Sequence, residues 1–232
     1  LSNALTLPYN LHFTTGKITT TSANLLTIGN DAIIIGANTN NFIDGPLKKI
    51  GDEAFIFPVG KGSMYATIGT AFITGSSPTD AYTAEYFRIS PQSVHGTNYA
   101  SGIDHISFVE YWTFTRNNGS ATVRLVVGVH QYSFCLVPST TFLSRWDGTQ
   151  WTNEAATATG TGPCGSYQCF NLTSNSDVSG FGDFTLATSD PVTLNPLPIQ
   201  LVNFKGFKNQ YQVYLDWELS ACCSKQAIFE VQ

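Results

Sequence analysis

The sequence predicts an all-β chain, an antiparallel β-sandwich preceded by a set of short strands, and three observations carry that prediction. Charged residues make up only 12% of the 232 residues, about half the usual share. Thr, Ser, Asn and Gly take the surface positions instead, as strands that expose hydroxyls and turns that need Asn and Gly require. Several segments alternate apolar and polar residues with a period of two. Proline is concentrated in one stretch near the C-terminal end, which separates the main body from two further strand-like runs.

In chain order, residues 1–57 read as short β-like runs: Leu11-His12-Phe13, Lys17-Ile18-Thr19, Leu25 to Ile28 and Ala32 to Ile35. Gly16, Gly29-Asn30-Asp31 and Gly36-Ala37-Asn38 separate them. Runs this short fit either a meander or the last coils of a solenoid. Asn38 to Asn41 reads as a turn. Residues 58–189 form the predicted sandwich. There Phe108, Glu110, Trp112, Phe114 and Arg116 share one face of a strand, and Ala121, Val123, Leu125, Val127 and Val129 share one face of the next. Asn117-Asn118-Gly119-Ser120 between them predicts a β-hairpin. Tyr82 to Ile89, Phe142 to Trp146, Trp151-Thr152 and Phe181 to Thr188 continue the pattern.

Residues 190–198 hold three prolines and read as a stiff, extended linker. In residues 199–232, Ile199 to Phe207 and Tyr211 to Glu218 are strands, the second placing Tyr211, Val213, Leu215 and Trp217 on one face. They resemble the start of a fibronectin-III- or immunoglobulin-like domain, too small in core to stand alone.

Composition also bounds the partners. The formal net charge is -5 and no basic cluster occurs, which argues against nucleic acid or an anionic membrane surface. No apolar run is long enough for a membrane span, and no signal peptide is present. The chain begins at Leu1, its single Met is Met64, and it stops within a strand-like run, so it reads as an internal piece of something longer. Five cysteines leave at least one without a partner in the chain. Cys164 and Cys169 bracket a loop short enough to close as a local disulfide in an oxidising compartment. Cys135 reads as a small buried hydrophobe. The adjacent Cys222 and Cys223 are poorly placed to bond each other, and no cysteine–histidine spacing suggests zinc.

Catalytic motifs are missing: there is no nucleophile elbow, P-loop, H-E-x-x-H or dinucleotide fingerprint. An enzyme is therefore not expected. Glu85 and Glu110 could in principle form a glycosidase pair, with carboxyls roughly 5 to 10 Å apart. The simpler expectation is that these carboxylates pair with Arg88, Arg116 and Arg124 across neighbouring strands. Tyr65, Tyr99, Tyr132, Trp146 and Trp151 are the aromatics expected to lie exposed, where their rings could stack on sugars or on a protein partner. Asp44, Asp52, Asp80, Asp147 and Asp183 sit by turns and could hold structural calcium, although Asx turns account for them equally well and no cofactor is required.

The motifs Thr15-Gly16-Lys17-Ile18, Asp44 to Lys49, Phe57-Pro58-Val59-Gly60, Ala84 to Phe87, Glu110-Tyr111-Trp112, Trp146 to Trp151 and Leu197 to Leu201 occur in that order. Together they resemble the region near the C-terminus of large Bacteroidetes surface proteins exported by the type IX secretion system. That resemblance implies a secreted or cell-surface protein, adhesin-like and non-enzymatic, with other surface proteins, copies of itself or extracellular glycans as partners. It also implies contact with the secretion machinery through a sorting domain outside this sequence. Leu219 to Lys225, with its cysteine pair, departs from the family pattern. The alternative is a carbohydrate-binding accessory module of a secreted polysaccharide-active enzyme.

Overall fold

A computed structural model of the chain describes residues 1–133, 137–160, 168–191, 201–209 and 212–219. The N-terminal part is a parallel solenoid, which decides between the two readings of residues 1–57. Its first rung is β1 (Leu5–Leu7), β2 (Leu11–His12) and β3 (Ile18–Thr19), and its second is β4 (Leu26–Ile28), β5 (Ile34–Ile35) and β6 (Ile43–Asp44). The third begins with β7 (Leu47–Ile50), continues through β8 (Phe55–Phe57) and ends at β9 (Val59–Lys61), after which β10 (Met64–Tyr65) folds back on β9. Parallel pairing stacks β1 on β4 on β7, β2 on β5, and β3 on β6 on β9.

Each strand is two to four residues because glycine and asparagine corners interrupt it. At one corner Gly45 has φ +127, and a Cβ there would lie 2.4 Å from the Thr20 carbonyl oxygen of the rung above. Asn41 ties two further corners, accepting from the Gly16 amide at 2.7 Å and donating to the Gly36 carbonyl. Lys49 is buried and bonds the Gly29 carbonyl of the preceding rung and the Ile50 carbonyl, while pairing with Glu53.

The remaining strands build a sandwich on the end of this stack. They are β11 (Ile68–Thr74), β12 (Ala81–Phe87), β13 (His105–Ile106), β14 (Tyr111–Asn118), β15 (Thr122–His130), β16 (Thr141–Trp146), β17 (Trp151–Asn153), β18 (Ala156–Thr159), β19 (Gln168–Ser174) and β20 (Gly182–Thr188). A short helix, α1 (Gln92–His95), lies in the β12–β13 connection. One sheet has the order β1-β4-β7-β12-β14-β20-β16-β17, with β13 also on β20; the other is β18-β19-β15-β11-β8.

The solenoid and the sandwich share a sheet. A single ladder runs Leu5, Leu26, Leu47, Ala84, Phe114, Gly182. Residue 57 is therefore not a boundary: β7 pairs with β12, and β8 pairs with β11. The core is likewise continuous, joining Leu26, Ile43 and Val59 of the solenoid to Tyr86, Trp112 and Phe184 on one sheet and Val123, Leu125 and Phe170 on the other. β21 (Leu201–Asn209) and β22 (Gln212–Leu219), the two strands expected there, pair antiparallel as a hairpin. Of the proline-rich stretch only Asp190 and Pro191 lie within the described residues.

The expected strand pairing at the centre of the sandwich is overturned. β14 and β15 do not form a hairpin; β14 pairs with β12 and β20, and β15 with β11 and β19. The connection between them is an arch that crosses from one sheet to the other. A two-residue hairpin turn with both central residues at positive φ needs two such positions, and here Gly119 alone has one, φ +92. Its Cα sits against the buried Asp80, so a Cβ would come 2.0 Å from the Asp80 carboxylate. Gly119→Ala is expected to destabilise the fold by about 1–3 kcal/mol, through backbone strain and displacement of Asp80. A chemical-denaturation midpoint equal to that of the parent would remove this account of the arch.

Candidate functional site

The five aromatics expected on the surface do not form a row. Trp151 is fully buried, contrary to expectation, because the segment before β13 pairs onto it: its amide donates to the Asn98 carbonyl and its carbonyl accepts from the Ala100 amide. Trp146 is half-buried and stacks on His95 at 4.9 Å, with Trp151 tilted against it at 5.6 Å. Tyr99, also half-buried, accepts from Gln92 of α1 through its hydroxyl at 2.7 Å. These three thus meet around α1, in a second small core with Ile103, Ile106 and Phe142. His95 closes the group by meeting Asp183 at 2.6 Å, and Asp183 accepts a second bond from Thr113. Tyr65 lies elsewhere, against Phe42, and burial pushes its hydroxyl up to about 12. Of the five, Tyr132 alone is exposed, at 39%.

Charges pair in part as the sequence suggests. Glu110 is wholly buried; its Oε2 accepts from the Tyr86 hydroxyl at 2.7 Å and lies 3.2 Å from Arg88 and 3.1 Å from His130. Burial alone would raise its carboxyl. The neighbouring His130, with hydrogen bonds from His130, Ser133 and Tyr86, outweighs burial and holds it below the ordinary glutamate range. His130 Nδ1 accepts the Tyr132 amide, which leaves the Nε2 proton facing Glu110. With both ring nitrogens engaged and the ring 2% exposed, this cluster ties β12, the entry to β14 and the end of β15 together. Arg116 instead bonds the Ala121 carbonyl and covers the Phe181 ring. Glu85 is raised by burial, offset in part by Lys61 and reinforced by Asp44.

The five aspartates have local roles. Asp147 accepts from the Thr149 and Gln150 amides and the Thr149 hydroxyl, an Asx turn whose backbone bonds keep its carboxyl below the usual range. Asp44 accepts the Gly62 amide and faces Lys61 at 3.3 Å. Asp80 and Asp52 use their carbonyls to accept from the Gly51 amide and the Ser76 hydroxyl. Among the described residues no three His, Cys, Asp or Glu side chains converge as metal ligands. Cys169 is buried and disulfide-bonded, whereas Cys164, Cys135, Cys222 and Cys223 lie outside the described residues.

Among the described residues, one open surface groove is a feature the sequence hides. On the outer face of the second sheet, Phe72 and Thr74 of β11, Arg124 of β15 and the Ser176-Asp177 loop line an open groove of about 560 Å³. Phe72 is 60% exposed. Period-two alternation from the buried Ile68 and Thr70 would turn Phe72 inward. A β-bulge between Thr70 and Phe72 shifts the register, sending Phe72 out and leaving Ile73 packed on the core. Arg124, opposite Phe72 in the ladder, lays its guanidinium 5.6 Å from the ring centroid and lies 3.8 Å from Asp177. The loop is held in place: the Val178 amide donates to the Val123 carbonyl, Thr122 donates to Asp177, and Ser174 donates to the Ser176 carbonyl. Adjacent apolar residues Phe72-Ile73 were the only hint in the sequence, and they do not say which one faces out.

No helix among the described residues is long and apolar enough to cross a membrane. Comparison with protein-family models, with curated proteins and with solved structures finds no match to this chain.

Proposed function

We propose that the chain is a non-enzymatic structural and contact module of a secreted or cell-surface protein of adhesin type. One observation carries this reading: the solenoid runs directly into the sandwich through the shared ladder from Leu5 to Gly182. Such a joint closes one end of a rung stack with a sandwich. At the other end β1, β2 and β3 are the outermost strands of their sheets. A rung stack of this kind suits a stalk that sets contact surfaces away from a cell, and strand edges allow pairing with other surface proteins or further copies.

On this reading the β21–β22 hairpin begins a fibronectin-like module, and the ordered motifs from Thr15 to Leu201 favour export by a type IX route in a Bacteroidetes cell. Extracellular placement also suits the disulfide at Cys169. Antibodies to the chain are expected to label intact source cells or their medium, and external protease is expected to release the antigen. Antigen confined to the cytoplasm would overturn the reading. The second reading, a carbohydrate-binding accessory module, is favoured by the groove at Phe72; a polysaccharide-degrading domain in the same parent polypeptide would decide for it.

A further inference from the structure

We propose that the groove formed by Phe72, Thr74, Arg124, Ser176 and Asp177 is a binding site for neutral pyranose sugars. The proposal rests on the reading of the chain as an extracellular contact module, and names the ligand class of one of its surfaces. Phe72 presents a flat apolar ring to solvent, the partner that the C–H face of a pyranose requires. Arg124 caps one side of that ring and limits its movement, so the stacking surface is organised before a ligand arrives.

The polar groups complete the pattern. A sugar hydroxyl is both donor and acceptor. Asp177 can accept from one hydroxyl while Arg124 donates to the oxygen of its neighbour, and the Thr74 and Ser176 hydroxyls line the same groove. The acid and base stand side by side, so vicinal hydroxyls meet an acceptor and a donor together. Charge selects the class: Arg124 is balanced by Asp177, and the whole chain carries -5, so neither the site nor its surroundings favour an anionic sugar. A volume of about 560 Å³ lies within the range of small-ligand sites, and the openness of the groove suits a chain of sugars passing across it.

The full chain, labelled with ¹⁵N, would be titrated with neutral gluco-, manno- and xylo-oligosaccharides, and in parallel with oligogalacturonates and with an unrelated peptide pool. At least one neutral oligosaccharide is expected to shift the amides of Phe72, Thr74, Arg124, Ser176 and Asp177, with an affinity insensitive to added salt. Phe72→Ala is expected to weaken binding roughly tenfold, a change equivalent to one stacking contact. Phe72→Tyr should retain it, and Arg124→Gln should weaken it while leaving far-UV circular dichroism unchanged. The proposal is overturned if no neutral sugar shifts these amides, if Phe72→Ala binds as the parent does, if only oligogalacturonates bind in a salt-dependent way, or if peptides alone occupy the groove. Any of those results leaves the surface-labelling test of the broader reading standing by itself.

Discussion

Replacing Glu110 with alanine is expected to cost the fold about 3–5 kcal/mol at neutral pH, the penalty for breaking a buried charged cluster from one side. The reason lies in what stays behind: Arg88 would lose its carboxylate, and the Tyr86 hydroxyl and His130, both buried, would face an empty space. The same residue sets an acid limit. Its folded carboxyl lies below the ordinary value of 4.5, so it contributes stability in full above that value, and the contribution is lost as pH falls through the lower, folded one. Urea midpoints measured from pH 7 downward should therefore drop more steeply in the parent than in Glu110→Gln, which begins less stable but no longer titrates there. Parallel curves for the two proteins would refute the assignment.

Trp112→Ala carries the second large expectation, a loss of about 3–5 kcal/mol. Trp112 is fully buried between the sheets, packs against Tyr86 at 5.4 Å, and donates its indole N–H to the Ala66 carbonyl at 3.1 Å. The cost has two parts, the cavity and an orphaned carbonyl where the β10–β11 connection rests on the sandwich. Trp112→Phe separates them, since it refills much of the space and leaves Ala66 unbonded. Thermal unfolding should rank the parent above Trp112→Phe and both above Trp112→Ala; an alanine variant as stable as the parent would mean that this side chain is not a core element.

What the sequence made legible follows from what period-two alternation encodes. It reports that Tyr82, Ala84 and Tyr86 share one face and that Val123, Leu125 and Val127 share another, and both faces are indeed buried. Alternation says nothing about which strand lies beside which. That is why the sequence suggests a local pairing of β14 with β15 where the chain forms an arch, since an Asn-Asn-Gly-Ser stretch, whose residues tolerate positive φ, serves either connection. The same gap hid the shared ladder across residue 57. The candidate site was less legible than the fold. A single extra residue at the Thr70–Phe72 bulge reverses the face of everything after it, and a segment pairing onto Trp151 removes from solvent a ring that its neighbours Gly148 and Gln150 would suggest is exposed.

The arch between β14 and β15 has a kinetic consequence. With no local hairpin at its centre, the sandwich must be assembled from distant partners: Thr113 meets Asp183, 70 positions later, and Glu110 meets Thr185, 75 positions later. Chain closures of that span lose entropy before any contact compensates, so this architecture belongs among slowly folding, high-contact-order proteins. The sandwich core therefore closes only when its last strand, β20, has been made, well after the solenoid rungs have been synthesised.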